Sequence, residues 1–164
     1  MLTDERGAQL APFEKALLEE NFDSRVIMVL VNGDRNGYCD LTEAFVSDLL
    51  EKLDVKNDSE FAIVSRIVNC SDFLTPKVVD TIFDIQNEEI IKLFLNSSLG
   101  HGMESKHVIA LLELKNDALI DLYFGRFAVI VLTDNWYAPV VDYLKANGLY
   151  ASFRAKYMPH RFTH

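Results

Sequence analysis

The chain has 164 residues, is 49% hydrophobic and carries a formal net charge of −9 at neutral pH. That length and apolar content suffice for one domain with a substantial core, and no apolar run approaches the roughly 20 residues that a membrane-spanning helix needs. The surplus of acid argues against nucleic acid as a partner, because phosphate binding depends on clustered Lys and Arg. The opening stretch MLTDERGAQL lacks the charged-then-apolar pattern of a secretory signal. Cys39 and Cys70 have no short metal-ligand spacing. A reduced, cytoplasmic chain with two incidental thiols is the expectation.

In chain order, Leu10-Ala11-Pro12 opens a first paired-helix segment near residues 10–33, whose second half is DSRVIMVLVNG. Leu41-Thr42-Glu43 opens a second, near 41–70, with AFVSDLLEKL and SEFAIVSRIV as its two helices. Leu74-Thr75-Pro76 opens a third, near 74–98, and a fourth runs near 103–128. The third and fourth match without a gap at an offset of 29 residues: VVDTIFDIQNEEIIKLFL from Val78 answers HVIALLELKNDALIDLYF from His107. Within a copy the apolar steps are mostly one, three and four, which is helical spacing. Thr75-Pro76 fits an N-cap followed by proline at the first helical position, and Asn57, Asn87 and Asn116 fall at turns between paired helices. The runs VIMVLV and FAVIVL would also suit strands, but they align with helical segments of neighbouring copies.

After Phe127 the pattern decays, and YAPVVDYLKANG reads as one helix of a degenerate C-terminal cap, residues 132–164. A fixed period with two apolar helical stretches per copy predicts an all-α chain. The expectation is a single domain, a right-handed α-α superhelix of four to five helical-hairpin repeats.

Charge is uneven along the chain. Residues 123–164 hold five basic side chains against two acidic ones, so the remainder carries −12. The same segment is rich in Tyr, Phe and the single Trp. Arg with Tyr and Trp is the composition of interface hot spots, which makes Arg126, Tyr150, Arg154, Tyr157 and Arg161 the candidate partner-binding residues. Rings closing the end of a solenoid would leave the same signature.

Asn32 to Glu43 spells NGDRNGYCDLTE and resembles the twelve-residue calcium loop of an EF-hand. Asn32, Asp34, Asn36, Asp40 and Glu43 would stand at ligand places one, three, five, nine and twelve, with Gly37 at the sharp turn. Asn32 replaces the usual first aspartate and no second loop of this kind occurs, so any calcium binding would be weak. An Asn/Gly/Asp-rich connector needs the same residues for turn geometry alone. No other cofactor is expected.

Catalytic sets are absent from the sequence: it holds no P-loop, no dinucleotide fingerprint, no G-x-S-x-G and no H-E-x-x-H. His160 and His164 are four apart but sit beside Pro159, which does not suit a regular helix.

On the L-[TA]-P opening, on V-V-D-T-I-F followed by N-E-E-I-I-K, and on the paired-helix period, residues 10–128 resemble HEAT-like or leucine-rich-variant repeats. The period is shorter than is usual for HEAT repeats, and Lys92 and Asp121 stand near the place of their frequent arginine. The resemblance implies a concave face lined by second helices, with Arg66, Lys92, Asn96, Asp121 and Arg126 exposed on it, and a protein as the partner. The expected function is a non-catalytic binding or scaffold module. The alternatives are a calcium-responsive regulator and an accessory subunit or inhibitor of an enzyme. The oligomeric state is left open.

Overall fold

The structure, a computed structural model, describes residues 11–20, 22–35 (side chains to Asn32), 41–70, 73–97 and 103–158. Among these residues it forms ten α-helices and a 3-10 turn at Asn135–Tyr137, with no strand. Helices α1 (Pro12–Glu19) and α2 (Ser24–Arg35) occupy the first predicted copy, and α3 (Glu43–Lys52) and α4 (Asp58–Val68) the second. Helices α5 (Pro76–Asp84) and α6 (Glu88–Ser97) occupy the third, and α7 (Ser105–Glu113) and α8 (Asp117–Thr133) the fourth. The 3-10 turn, Asn135–Tyr137, leads into α9 (Ala138–Ala146) and α10 (Tyr150–Tyr157). No helix among the described residues is long and apolar enough to cross a membrane.

Both β-branched runs are helical. VIMVLV lies inside α2 and FAVIVL inside α8, so the strand alternative is excluded. α8 also runs five residues beyond the predicted end of its copy, through to Thr133. Nothing between Phe127 and Asp134 breaks a helix, and Ala128, Val131 and Leu132 are buried along its inner side. The segment expected to hold one terminal helix holds two, because Gly148 (φ +69°) turns the chain between α9 and α10.

The hairpins are fixed by recurring caps. The side chain of Asn57 accepts from the amides of Ser59 and Glu60, that of Asn87 from Glu89 and Ile90, and that of Asn116 from Leu119. Asp23 does the same for Arg25 ahead of α2. Each such cap contributes about 0.5–2 kcal/mol. Immediately before two of these asparagines, Gln86 and Lys115 adopt left-handed backbone (φ +57° and +56°). Their amides donate to the carbonyls of Phe83 and Leu112, so each reverses the chain at a helix C-terminus without a glycine.

The chain divides into two compact units, residues 1–102 and 103–164. In the first, α1, α3 and α5 pack successively in one layer, and α2, α4 and α6 in the other. Phe45, Leu49, Ile63, Ile67, Ile82 and Phe94 are fully buried there. Burying each such side chain is worth about 1.5–3 kcal/mol. Phe83 and Phe94 meet edge-to-face at 5.9 Å across the α5–α6 hairpin. Polar links also join neighbouring copies. Lys52 Nζ donates to the Leu18 carbonyl, Arg66 Nε to Asn32 Oδ1 at 2.9 Å, and Ser97 Oγ to the Val68 carbonyl at 2.8 Å.

In the second unit α7 packs on α9, α10 packs on α8, and α8 and α10 both touch α9. Its core is built from Val108, Leu111, Tyr123, Phe124, Val131, Val140 and Leu144. The buried His107 is structural: its Nδ1 accepts the Glu104 amide at 2.9 Å and so closes the first turn of α7. Burial pushes the Tyr123 hydroxyl well above the ordinary phenol range.

Candidate functional site

The C-terminal helix of the second unit carries the clearest site. The turn before it is closed by the Leu149 amide donating to the Leu144 carbonyl at 2.8 Å, across the left-handed Gly148. That geometry delivers Leu149, 37% exposed, to the start of α10. One turn further, Phe153 and Tyr157 lie on the buried Phe124 of α8, with ring centroids at 5.1 and 5.5 Å. Contacts of this kind add about 0.5–1.5 kcal/mol to simple burial.

The far end of α10 is tied by charge. Tyr157 donates its hydroxyl to Asp121 Oδ1 at 2.5 Å, and Lys156 Nζ approaches the same oxygen at 2.8 Å. Hydrogen bonds from Lys156 and then Tyr157 hold the Asp121 carboxyl below the usual carboxylate range. The Asp121 hydrogen bond raises the Lys156 ammonium in turn. Burial first, and Asp121 second, push the Tyr157 hydroxyl up to about 12. At neutral pH Lys156 therefore stays cationic and Tyr157 a neutral hydroxyl donor, and neither shuttles protons there.

Between this helix and the α7–α8 turn lies a groove of about 410 Å3. Its apolar lining comes from Leu112, Ile120, Leu149 and Phe153. Lys115 and Lys156 supply positive charge, and Asp117 is the one carboxylate among its described lining residues. Lys115 stands at the left-handed turn position, so the backbone sets where its side chain leaves the chain. The volume falls within the range of about 300–1,000 Å3 typical of ligand sites. Beyond Asp142 the sequence contains no Asp or Glu at all.

Two other hollows are less enclosed by buried side chains. One of about 500 Å3 lies beside Ile109, Pro139 and Trp136, and the Trp136 ring is 69% exposed. The other, about 320 Å3, is lined by Met28 and Arg66 with small neighbours, and Arg66 is engaged there with Asn32.

Among the residues singled out by sequence, Tyr157 lines the groove. Tyr150 and Arg154 share its helix: the Tyr150 ring has Lys145 Nζ at 5.0 Å and Arg154 Cζ at 5.4 Å from its centroid. Arg126 is exposed on α8 and is not among the groove's lining residues, and Arg161 lies outside the described residues. Of the concave-face candidates, Lys92 and Asn96 are exposed on α6 and Asp121 is the α10 anchor. Sequence reasoning missed Lys115, Lys156, Leu112 and Ile120 as site residues. The signal for Lys156 was the acid-free run after Asp142, whereas the contribution of the α7–α8 turn left no local mark.

Of the five calcium-loop candidates, the structure describes the side chains of Asn32 and Glu43 alone. Asn32 accepts from Arg66 within α2, which extends helical backbone through Asp34 to Arg35. Glu43 is half-buried in the first turn of α3, behind the Thr42 cap. The Asp34 side chain and all of Asn36 and Asp40 lie outside the described residues. Among the described residues no group of three or more His, Cys, Asp or Glu could hold a metal ion. Cys70 is a buried free thiol, and Cys39 lies outside the described residues.

Compared with models of protein families, with curated proteins and with solved structures, the chain matches none.

Proposed function

We propose that the chain is a non-catalytic, HEAT-like binding module that works in the cytoplasm and holds a segment of another protein. The observation that carries this reading is the groove of about 410 Å3, where an apolar floor lies under the cations Lys115 and Lys156. Apolar floors supply affinity and a few placed polar groups supply orientation. The helix pairs that fill the four copies support the repeat part of the reading.

The aromatic cluster supports the reading by its placement. Phe124, Phe153 and Tyr157 cover one another and close the unit, while the remaining faces of Phe153 and Tyr157 line the groove. A rigid, prepaid surface of this kind loses little side-chain entropy on binding.

The test is affinity capture with the intact chain, using Ser152→Trp to fill the groove from its exposed edge. Ser152 lines the groove and its hydroxyl donates only to the Leu149 carbonyl one turn back, so the substitution leaves the core untouched. The expected result is a partner retained by the wild type and lost with Ser152→Trp, at unchanged far-ultraviolet circular dichroism. Undiminished capture by the filled variant overturns the reading.

A further inference from the structure

Resting on the groove reading above, we infer that the groove selects an acidic segment: a polypeptide with one leucine or aromatic anchor flanked by aspartate or glutamate. Three observations converge on that chemistry.

The first is the balance of charge at the mouth. Two lysines and one aspartate line it. Lys156 already has Asp121 as its ion-pair partner, which pins its position, and an ammonium has three donors to share. Lys115 has no ion pair among the described residues and is carried by a backbone held in the left-handed region. Its side chain leaves the groove's edge from a defined turn, not from a wandering loop.

The second is the absence of acid from the α10 side of the groove. From Tyr143 to the last residue the sequence holds Lys145, Arg154, Lys156 and Arg161 and no Asp or Glu. Residues 1–102, by contrast, carry a net charge of −10. The basic end is thus a local feature against an acidic chain, and Lys156 brings it to the groove. Complementary charge of this kind sets partner choice and encounter rate more than total affinity.

The third is the floor. Leu112, Ile120 and Phe153 offer an apolar receptacle large enough for one side chain of leucine or aromatic size. Acid alone would gain little from exposed lysines, since each solvated pair is worth only about 0.2–1 kcal/mol. An anchor to supply affinity and carboxylates to supply selection together use the apolar floor and both lysines. Asp117 repels acid at the start of α8 and so gives the bound segment a polarity.

The experiment uses the intact chain and three pools of short labelled peptides, each with a central Leu or Phe. The flanks are acidic in the first pool, neutral (Ser and Asn) in the second and basic in the third. Expected is retention of the acidic pool, weakened by added salt, lowered about tenfold by Lys115→Glu with Lys156→Glu, and abolished by Ser152→Trp. Lys115→Glu alone, on an exposed turn, is the variant that separates charge from folding; a several-fold loss is expected. Equal retention of acidic and neutral pools, both lost with Ser152→Trp, overturns the acidic selection and leaves the groove reading standing. Retention of no pool, or retention untouched by Ser152→Trp, overturns both.

Discussion

The carboxylate of Glu14 and the N-cap residue Thr42 are joined by two hydrogen bonds, Thr42 Oγ1 to Glu14 Oε1 at 2.7 Å and the Thr42 amide to Oε2 at 2.8 Å. A third comes from the Ala11 amide at 2.8 Å, and the Glu14 side chain is fully buried. One carboxylate thus satisfies orphan amides at the starts of α1 and α3 together. Removing it with Glu14→Ala leaves the Thr42 amide and hydroxyl without that acceptor in a buried place. The expected loss is about 2–4 kcal/mol, with Glu14→Gln losing less. Urea unfolding measures the total, and amide exchange in α1 should show that helix opening first.

Two glycines should answer the same substitution with opposite signs. A Cβ at either Gly125 or Gly148 would meet nothing within 4 Å, so sterics are equal. Gly125 has ordinary helical backbone inside α8, and Gly125→Ala should stabilise by about 0.5–1 kcal/mol. Gly148 needs φ +69°, and Gly148→Ala should destabilise by about 1–2 kcal/mol. By the same argument Gln86→Gly should stabilise its hairpin by up to about 1 kcal/mol. Thermal melts followed by circular dichroism decide all three.

The Asp121 anchor gives pH dependence with a definite sign at each end. The Asp121 carboxyl is depressed in the folded chain, so its contribution is present above the unfolded carboxylate pKa and is lost as pH falls through the lowered value. Tyr157 is raised to about 12, so its contribution is complete below the ordinary phenol value and disappears as pH climbs from there through about 12. Tyrosine-labelled NMR should therefore show Tyr157 titrating late. In Asp121→Asn it should titrate earlier, though still above 10, because burial is the larger cause.

Phe124→Ala should cost about 3–5 kcal/mol and release α10, since both Phe153 and Tyr157 rest on that ring. Proteolysis cutting first within α10 would confirm the order of events. Unchanged resistance there would show that α10 is held by α9 instead.

The helix pairs were legible because their signals are local. Val78–Leu95 and His107–Phe124 repeat each apolar position, and Asn87 and Asn116 mark the turns. The end of α8 was not legible, since Val129 and Ile130 face outward while Val131 and Leu132 are buried, which from sequence alone looks like decay or a strand. Half of the groove was visible in the composition of α10, in Tyr157 and its basic neighbours. The other half comes from Leu112 and Lys115, over thirty residues earlier than Leu149, and only tertiary packing brings those stretches together.

The exposed placement of Trp136 bears on how this chain can be observed. It is the only tryptophan, it belongs to the second unit, and its ring already sits in water while its backbone is held by Asp134 and Ser105. Its emission will start red-shifted and change little when the chain melts. A fluorescence denaturation curve would thus pass almost flat through a transition that circular dichroism records in full, and a silent trace would say nothing about stability.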